Sequence, residues 1–394
     1  MMTQDKWQIV WSILTSFSFV WTGVFDVMAE EASDAEPPIA VVEGLFNTSD
    51  EQSLGLEPVT GTHQQIYTAS EESYKFCHHQ NLVVWRKRLY LMWSNGIVHE
   101  DHNGQQILFC STDDGQQWTE PSVLTKDHDG EGPFACVAAG WHAAEDQLVA
   151  YYTAIIDGKP IHERNALFCL SSSDGKVWSG RKKLTHGFYI EGPRRLSSRR
   201  LLMNGQTADR QPRLRFTDDA GGVTGWRDGM VPRLEGVFTF PEPSWFVRRD
   251  GTIVMVLRTK SGVPCLYATT SQDQGATWTV PQKTNFPDAT ARSFAGNLPD
   301  GRAYIINNPN TTPSKTHPSI GRRVPLVISL SHDGIVFDRA LAIRAEATAM
   351  RYKGINKANG WQYPNALTWN GYLYVAYSIN KEDVGVTRID LADL

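Results

Sequence analysis

The sequence predicts an all-β chain folded as a six-bladed β-propeller. Three observations carry that expectation. Apolar and polar residues alternate in short runs broken by Asp-Gly turns, one octapeptide turn recurs at a spacing of roughly a blade, and the last set of strands is one strand short.

The clearest stretch is 240–278, where the runs WFV and TIVMVL are parted by RRDG and followed by CLYATT and the closing turn SQDQGATW. The residue types in that turn answer one geometric problem, reversing a strand while tying the turn down. Asp273 accepts from backbone N–H groups a few residues on, Gly275 supplies a positive φ, and Trp278 buries a large apolar surface. The device recurs as STDDGQQW ending at Trp118, SSSDGKVW at Trp178 and SLSHDGIVF at Phe337, with a worn copy, TDDAGGVTGW, at Trp226. The spacings are 60, 48, 52 and 59 residues, the length of a four-stranded blade.

These turns resemble the Asp-box of the sialidase-type (BNR-repeat) propellers, Ser-x-Asp-x-Gly-x-x-Trp, with Ser173 standing where the first Asp belongs in one copy. The resemblance covers about residues 62–394 and implies a sialidase-type propeller. It makes the boxes scaffolding at the blade rims and assigns them no chemistry.

The runs sort into six units. NLVVW, RLYLMWS and QQILFCS, with the segment after Trp118, form the first; FACVAAGWHAA opens the second and GPRRLSS the third. The 240–278 stretch is the fourth, and the fifth runs from SFAGNLPDGRAYIINN to FDRALAI. The last has only PNALTW, YLYVAYS and VGVTRIDL. HQQIYTA at 63–69 supplies its missing strand, closing the ring and removing an exposed sheet edge. Seven blades is the alternative if 39–46 forms more than a strap.

Composition narrows the class further. A net charge of −5 over 394 residues points to neither nucleic acid nor an anionic membrane as partner. Cys110, Cys169 and Cys265 each fall in the third strand of their blades, which keeps them apart. They read as buried small hydrophobes rather than a disulfide frame, and no paired spacing among the five Cys suggests a metal. The chain opens with Lys6 and the apolar run WQIVWSILTSFSFVWTGVF, ending near Val27-Met28-Ala29, so residues 1–29 read as a cleaved signal peptide of a secreted or periplasmic protein. A membrane anchor is the other reading of that run. Residues 30–61 follow as a linker and strap, acidic at its start, and 62–394 as the propeller.

In a propeller, the loops entering each innermost strand and those joining second to third strands converge on one face, opposite the box turns. Those positions hold His78, His79, Glu100 and Asp101 in the first blade and Glu131 in the second. The third gives Glu191, Arg194, Arg195, Asn204 and Gln206, the fourth Glu242 and Arg258. Arg292, Asn307, Asn308, Arg322 and Arg323 follow in the fifth, with Tyr363 and Lys381 in the sixth. A ring of carboxylates, guanidiniums and a phenol suits an anionic or heavily hydroxylated sugar.

Sialidases bind the substrate carboxylate with three arginines, attack with a Tyr, deprotonate it with a Glu and use an Asp as acid and base. Glu242 in FPEPS, then Arg258 in VLR before a box, resembles the family's Glu and second Arg. Arg323 in RRVPLVISLSHDG resembles the third Arg, Tyr363 in WQYPNAL the nucleophile, and Asp101 in HEDHNGQQ the acid/base. A phenol titrates near pH 10 and needs a carboxylate to take its proton before it attacks. An uncharged nucleophile suits a substrate with its own carboxylate at the reacting carbon, and an Asp acting as acid must be held protonated by burial. The departure is FCHHQNLVV, which puts His78 where the family has its first arginine. A histidine cannot supply a bidentate clamp, so Arg194, Arg195 or Arg322 is the expected substitute. Successive strand residues face opposite ways, so only one of His78 and His79 is expected to reach the site.

The resemblance implies a retaining exo-glycosidase removing a terminal acidic sugar, without cofactor or metal. Tyr363, Glu242 and Asp101 would be catalytic, and Arg258, Arg323, His78, His79, Arg194 and Arg322 would bind substrate. Two alternatives stand beside it: histidine-based cleavage of a uronate- or rhamnose-containing polysaccharide, and a glycan-binding propeller without catalysis.

Overall fold

The computed structural model describes residues 36–125, 134–156, 158–315 and 317–394. The expected signal peptide, most of the acidic linker and Glu131 lie outside them. Pro37–Leu394 forms one compact unit, and among the described residues no helix is long and apolar enough to cross a membrane.

Six antiparallel sheets follow one another along the chain, and together they make a six-bladed propeller. Blade I is Phe76–Trp85, Arg88–Gly96, Gln106–Thr112 and Ser122–Thr125; blade II is Phe134–Ala143, Leu148–Ile156, Ala166–Ser172 and Lys182–His186. In blade III the innermost strand is broken into Phe188–Tyr189 and Arg194–Arg195, both paired with Leu201–Gln206, before Pro212–Thr217 and Arg227–Gly229. Blade IV is Ser244–Val247, Ile253–Leu257, Cys265–Ser271 and Gln282–Pro287. Blade V is Phe294–Asn297, Ala303–Asn307, Leu326–Ser331 and Arg339–Arg344. Blade VI takes three strands from the end of the chain, Trp361–Trp369, Tyr372–Ile379 and Asp383–Asp390. Its fourth is Gly61–Tyr67, in the register Gly61 to Ile389. The segment before it contributes only Ala40–Val41, paired in parallel with Val336–Phe337, which is a strap and not a seventh blade.

The apolar face of each sheet is buried against the next blade rather than in a common centre. One cluster joins Met92 of blade I to Tyr152 of blade II, and others join Tyr151 to Met203, Leu214 to Met255, Val254 to Ile305, and Ile328 to Val375. The last joins Leu91 to Val386 and closes the ring. Sheets stacked face to face in this way leave the inner strand ends free to carry polar groups.

The boxes work as expected of structural turns, in a frame shifted from the one the motif suggests. In blade I it is Thr112, not Ser111, whose hydroxyl meets the carboxylate of Asp114 at 2.9 Å, and Asp114 accepts from the N–H groups of Gln116 and Gln117 at 2.8 Å each. Ser172 and Asp174 repeat this in blade II, and Ser331 and Asp333 in blade V. Blade IV, with Ser271 and Asp273, carries an extra residue before its glycine, and Gln274 takes up the left-handed φ of 60° that this requires.

Each box glycine also makes room for the preceding blade. A Cβ on Gly175 would lie 2.6 Å from the hydroxyl of Tyr90 in blade I, one on Gly222 2.5 Å from that of Tyr151 in blade II, and one on Gly334 2.8 Å from the ring of Phe246 in blade IV. Gly115 packs in the same way on Tyr374 across the ring closure. The box therefore staples its own blade to the one before it. All five Cys are buried thiols.

Candidate active site

On the side opposite the boxes, loops and strand ends from all six blades enclose a cavity of about 210 Å³. Blade I supplies His79, Glu100 and Asp101, blade IV Glu242 and Arg258, blade V Arg323, and blade VI Tyr363 and Lys381. Pro160, Phe188 and Phe240 give it apolar walls.

At the centre is Arg258. Its Nη1 donates to Glu242 Oε2 at 2.6 Å and to the Tyr363 hydroxyl at 2.9 Å, so one guanidinium nitrogen holds both groups. All three are shielded from water, Tyr363 at 4% exposure and Glu242 at 5%. Burial alone would pull the guanidinium down, but the charge of Glu242 and the oxygen of Tyr363 hold it above its ordinary value. Burial raises the Tyr363 phenol, and Arg258 opposes that rise. Arg323 lies 5.4 Å from the Tyr363 ring centre and donates through Nη1 to Gln362, the residue next to the tyrosine.

Across the cavity stands Asp101, 6% exposed, exchanging hydrogen bonds with the side chain of Gln105. Burial, with Glu100 beside it, pushes its carboxyl up to about 8, so at neutral pH it carries a proton it can donate. Glu100 itself accepts from Lys381 Nζ at 2.7 Å.

The backbone is strained where these groups stand. His79, Asp101, Glu242, Tyr363 and Lys381 have φ of 53°, 57°, 39°, 57° and 56°, a region that costs non-glycine residues on the order of 1–3 kcal/mol each. Two β-bulges accompany the strain, between His78 and Asn81 and between Gln362 and Asn365. The first bulge changes the expected geometry of the histidines. Instead of pointing to opposite faces, their rings lie 4.0 Å apart by centroid and both pack on Tyr363, at 3.7 Å for His78 and 5.8 Å for His79. His79 reaches the cavity and His78 stands behind it, with Nε2 3.0 Å from Glu100. Burial holds both imidazoles well below their ordinary value, hence neutral, and the nearby Lys381 and Arg323 add to this for His78.

Of the residues expected at the site, the structure brings Tyr363, Glu242, Asp101, Arg258, Arg323 and His79 to one cavity, with His78 directly behind. It does not bring Arg194 or Arg322 there. Arg194 is a tie between blades, bonded to the carbonyls of Ala295 and Trp245 at 2.7 Å each, stacked 4.1 Å from the Trp245 ring and paired with Glu191. Arg322 is turned to Glu51 in the N-terminal strap. Neither replaces the missing arginine.

Lys381 and Glu100 belong to the cavity more intimately than their place in the sequence suggests. So do His317, Ser319 and Ile320 from the long connection 308–325, and Asn356 and Ala358 from the loop before blade VI. The signal for these loops is their length between regular strands on the functional side. Among the described residues, no group of His, Cys, Asp and Glu is placed to hold a metal ion.

The fold is a six-bladed propeller like that of solved sialidases. The chain belongs to the BNR repeat-like domain family, whose model matches residues 87–375. No curated protein matches it in sequence. Among solved structures it is similar to a sialidase, at 19% identity and a TM-score of 0.65, covering 90% of this chain and 35% of that one. A Dyadobacter fermentans protein of unknown function is 15% identical with a TM-score of 0.62, over 83% and 99% of the two chains. A mutant of Trypanosoma rangeli sialidase displaying trans-sialidase activity is 12% identical with a TM-score of 0.66, over 86% and 60%. The chain thus spans about a third of the first of these, and at such identities the likeness is one of fold.

Proposed function

We propose that this protein is a retaining exo-glycosidase that removes a terminal acidic sugar from a glycan. The observation that carries the reading is Arg258 holding the Glu242 carboxylate and the Tyr363 hydroxyl on one nitrogen. Arg258 occupies a lone pair of the phenol oxygen, so the phenol keeps its proton; no hydrogen bond joins that hydroxyl to Glu242 directly, and in this reading the proton turns to the carboxylate held on the same nitrogen as the phenol attacks. The same guanidinium then stabilises the negative charge that develops on the oxygen only as the proton leaves and the neutral phenol attacks the anomeric carbon. Asp101, protonated at neutral pH, gives its proton to the departing oxygen and afterwards takes one from the water that releases the sugar.

Charge supports an acidic substrate. Arg258, Arg323 and Lys381 face Glu242 and Glu100, and with Asp101 and both histidines neutral the walls keep one positive charge uncompensated, enough for one carboxylate. A negatively charged nucleophile would be repelled by such a substrate and a phenol is not. The test is Tyr363→Phe assayed on chromogenic sialyl, uronyl and rhamnosyl glycosides: turnover should vanish with folding intact, and unchanged turnover discards the mechanism.

A second reading rests on His79, whose neutral imidazole lines the cavity against Tyr363. In that case the pair would cleave a uronate-containing polysaccharide by elimination. An ultraviolet-absorbing unsaturated product, lost in His79→Ala, would decide for it. Oligosaccharide binding without any product over long incubation would make the propeller a lectin-like module. The leader reading of residues 1–29 would send the protein out of the cytoplasm, and sequencing of the mature N-terminus checks it.

A further inference from the structure

Two charged residues of the cavity have no part in the chemistry proposed above. Glu100 stands on the turn between the second and third strands of blade I, and Lys381 on the equivalent turn of blade VI. Their side chains meet at 2.7 Å, and Lys381 Nζ also lies 5.0 Å from the centre of the Tyr363 ring. Lys381 is 2% exposed and sits at a left-handed φ of 56°. A buried ion pair is a poor source of stability, because the cost of removing two charges from water offsets most of their attraction. Its position at the cavity wall, on strained backbone, asks for another reason.

Capacity supplies one. An ammonium has three donors, and Lys381 uses one of them on Glu100. Among the described residues no hydrogen bond is made to Glu100 Oε2, although Glu100 lines the cavity. A donor and an acceptor side by side, each with capacity to spare, match a hydroxyl, which accepts from the ammonium and donates to the carboxylate. The pair is also neutral as a unit, so it leaves the attraction for an anion to Arg258 and Arg323.

We infer that the Lys381–Glu100 pair is the specificity element of this site, reading a ring hydroxyl of a sugar acid whose carboxylate is held by the arginines. The inference rests on the acidic-substrate reading. A pocket built to bond a hydroxyl rejects a ligand that lacks it, since the pair is then buried without its partner.

The test uses the full chain with Tyr363→Phe, so that nothing turns over, and titration calorimetry with three probes: N-acetylneuraminate, glucuronate, and cyclohexanecarboxylate, which has ring and acid but no hydroxyl. Changing Lys381→Met together with Glu100→Gln removes both charges, keeps the bulk and leaves the net charge of the cavity as it was. The sugar acid that binds should lose tenfold or more in affinity while cyclohexanecarboxylate changes less than about twofold. Equal losses for both, or no loss for the sugar acid, overturn the assignment and leave the acidic-substrate reading standing. Failure of every acid to bind the unsubstituted pair overturns that reading and the inference with it. If the double variant does not fold, Lys381→Arg, which keeps the charge and moves the donors, should show the same selective loss, and binding of the sugar acid as in the parent overturns the pair's role.

Discussion

Arg258 Nη1 lies 2.6 Å from Glu242 and 2.9 Å from the hydroxyl of Tyr363, joining a side chain of blade VI to one of blade IV. Neither partner touches bulk water to any extent. Removing the guanidinium therefore leaves a buried carboxylate without its counter-charge as well as a phenol without its donor.

Arg258→Met should destabilise the fold by about 3–5 kcal/mol, the cost of breaking a buried ion pair from one side. Adding Glu242→Gln should recover most of that loss, because the uncompensated charge is gone. Activity should stay at least about a thousandfold down in both variants. Denaturant melts and kcat/KM measured side by side separate the two effects. Recovery of activity along with stability would show that Arg258 serves the fold alone.

Asp101 predicts a pH dependence of definite sign. Its carboxyl is raised from 3.8 to about 8 in the folded state, so between those values the folded protein holds a proton that the unfolded chain releases. Its contribution to stability is fully present near pH 4 and is lost as pH rises through 8. Asp288, buried and pushed up to about 6, adds a loss of the same sign at lower pH. Asp101→Asn should accordingly match the parent in thermal melts near pH 4 and exceed it by a margin that grows as pH rises toward 8. Activity of the parent should fall above about pH 8 as the acid ionises, and the variant should lack that limb because it lacks the acid.

The box staples predict losses of stability without loss of chemistry. At Gly175 a side chain would meet both a left-handed φ of 73° and the Tyr90 hydroxyl at 2.6 Å. Gly175→Ala should cost about 2 kcal/mol or more, while kcat per folded molecule stays as in the parent. The double change with Tyr90→Phe, which removes the obstructing oxygen, should regain part of the loss in urea titration.

How much of this was readable from the chain depends on whether the signal is local. Box turns are local: Asp273, Gly275 and Trp278 announce a reversal by their own chemistry, and their spacing gives the blade count. Closure by 63–69 follows because the strand lacking a partner at the C-terminus must find one. The frame of STDDGQQW is less legible, since Ser111 and Thr112 are equally able to offer a hydroxyl to an Asp and only the register decides for Thr112 and Asp114. Tyr363, Glu242 and Arg258 could be picked out from motif and blade position, but their meeting on one nitrogen is set by tertiary structure. That a single one of the two histidines lines the cavity follows from strand alternation, but the bulge in FCHHQN that packs both rings on Tyr363 cannot be seen in the sequence. Arg194 was misjudged because nothing in GPRRL says that its guanidinium has carbonyls of two other blades within reach.

The most direct test is to trap the covalent intermediate. An acidic glycosyl fluoride with a second fluorine on the carbon beside the anomeric one should accumulate on the enzyme, and peptide mass spectrometry should place the added sugar on Tyr363. No adduct should form in Tyr363→Phe. Product release from the parent with no sugar on Tyr363, or with the sugar on any other side chain, would contradict the account.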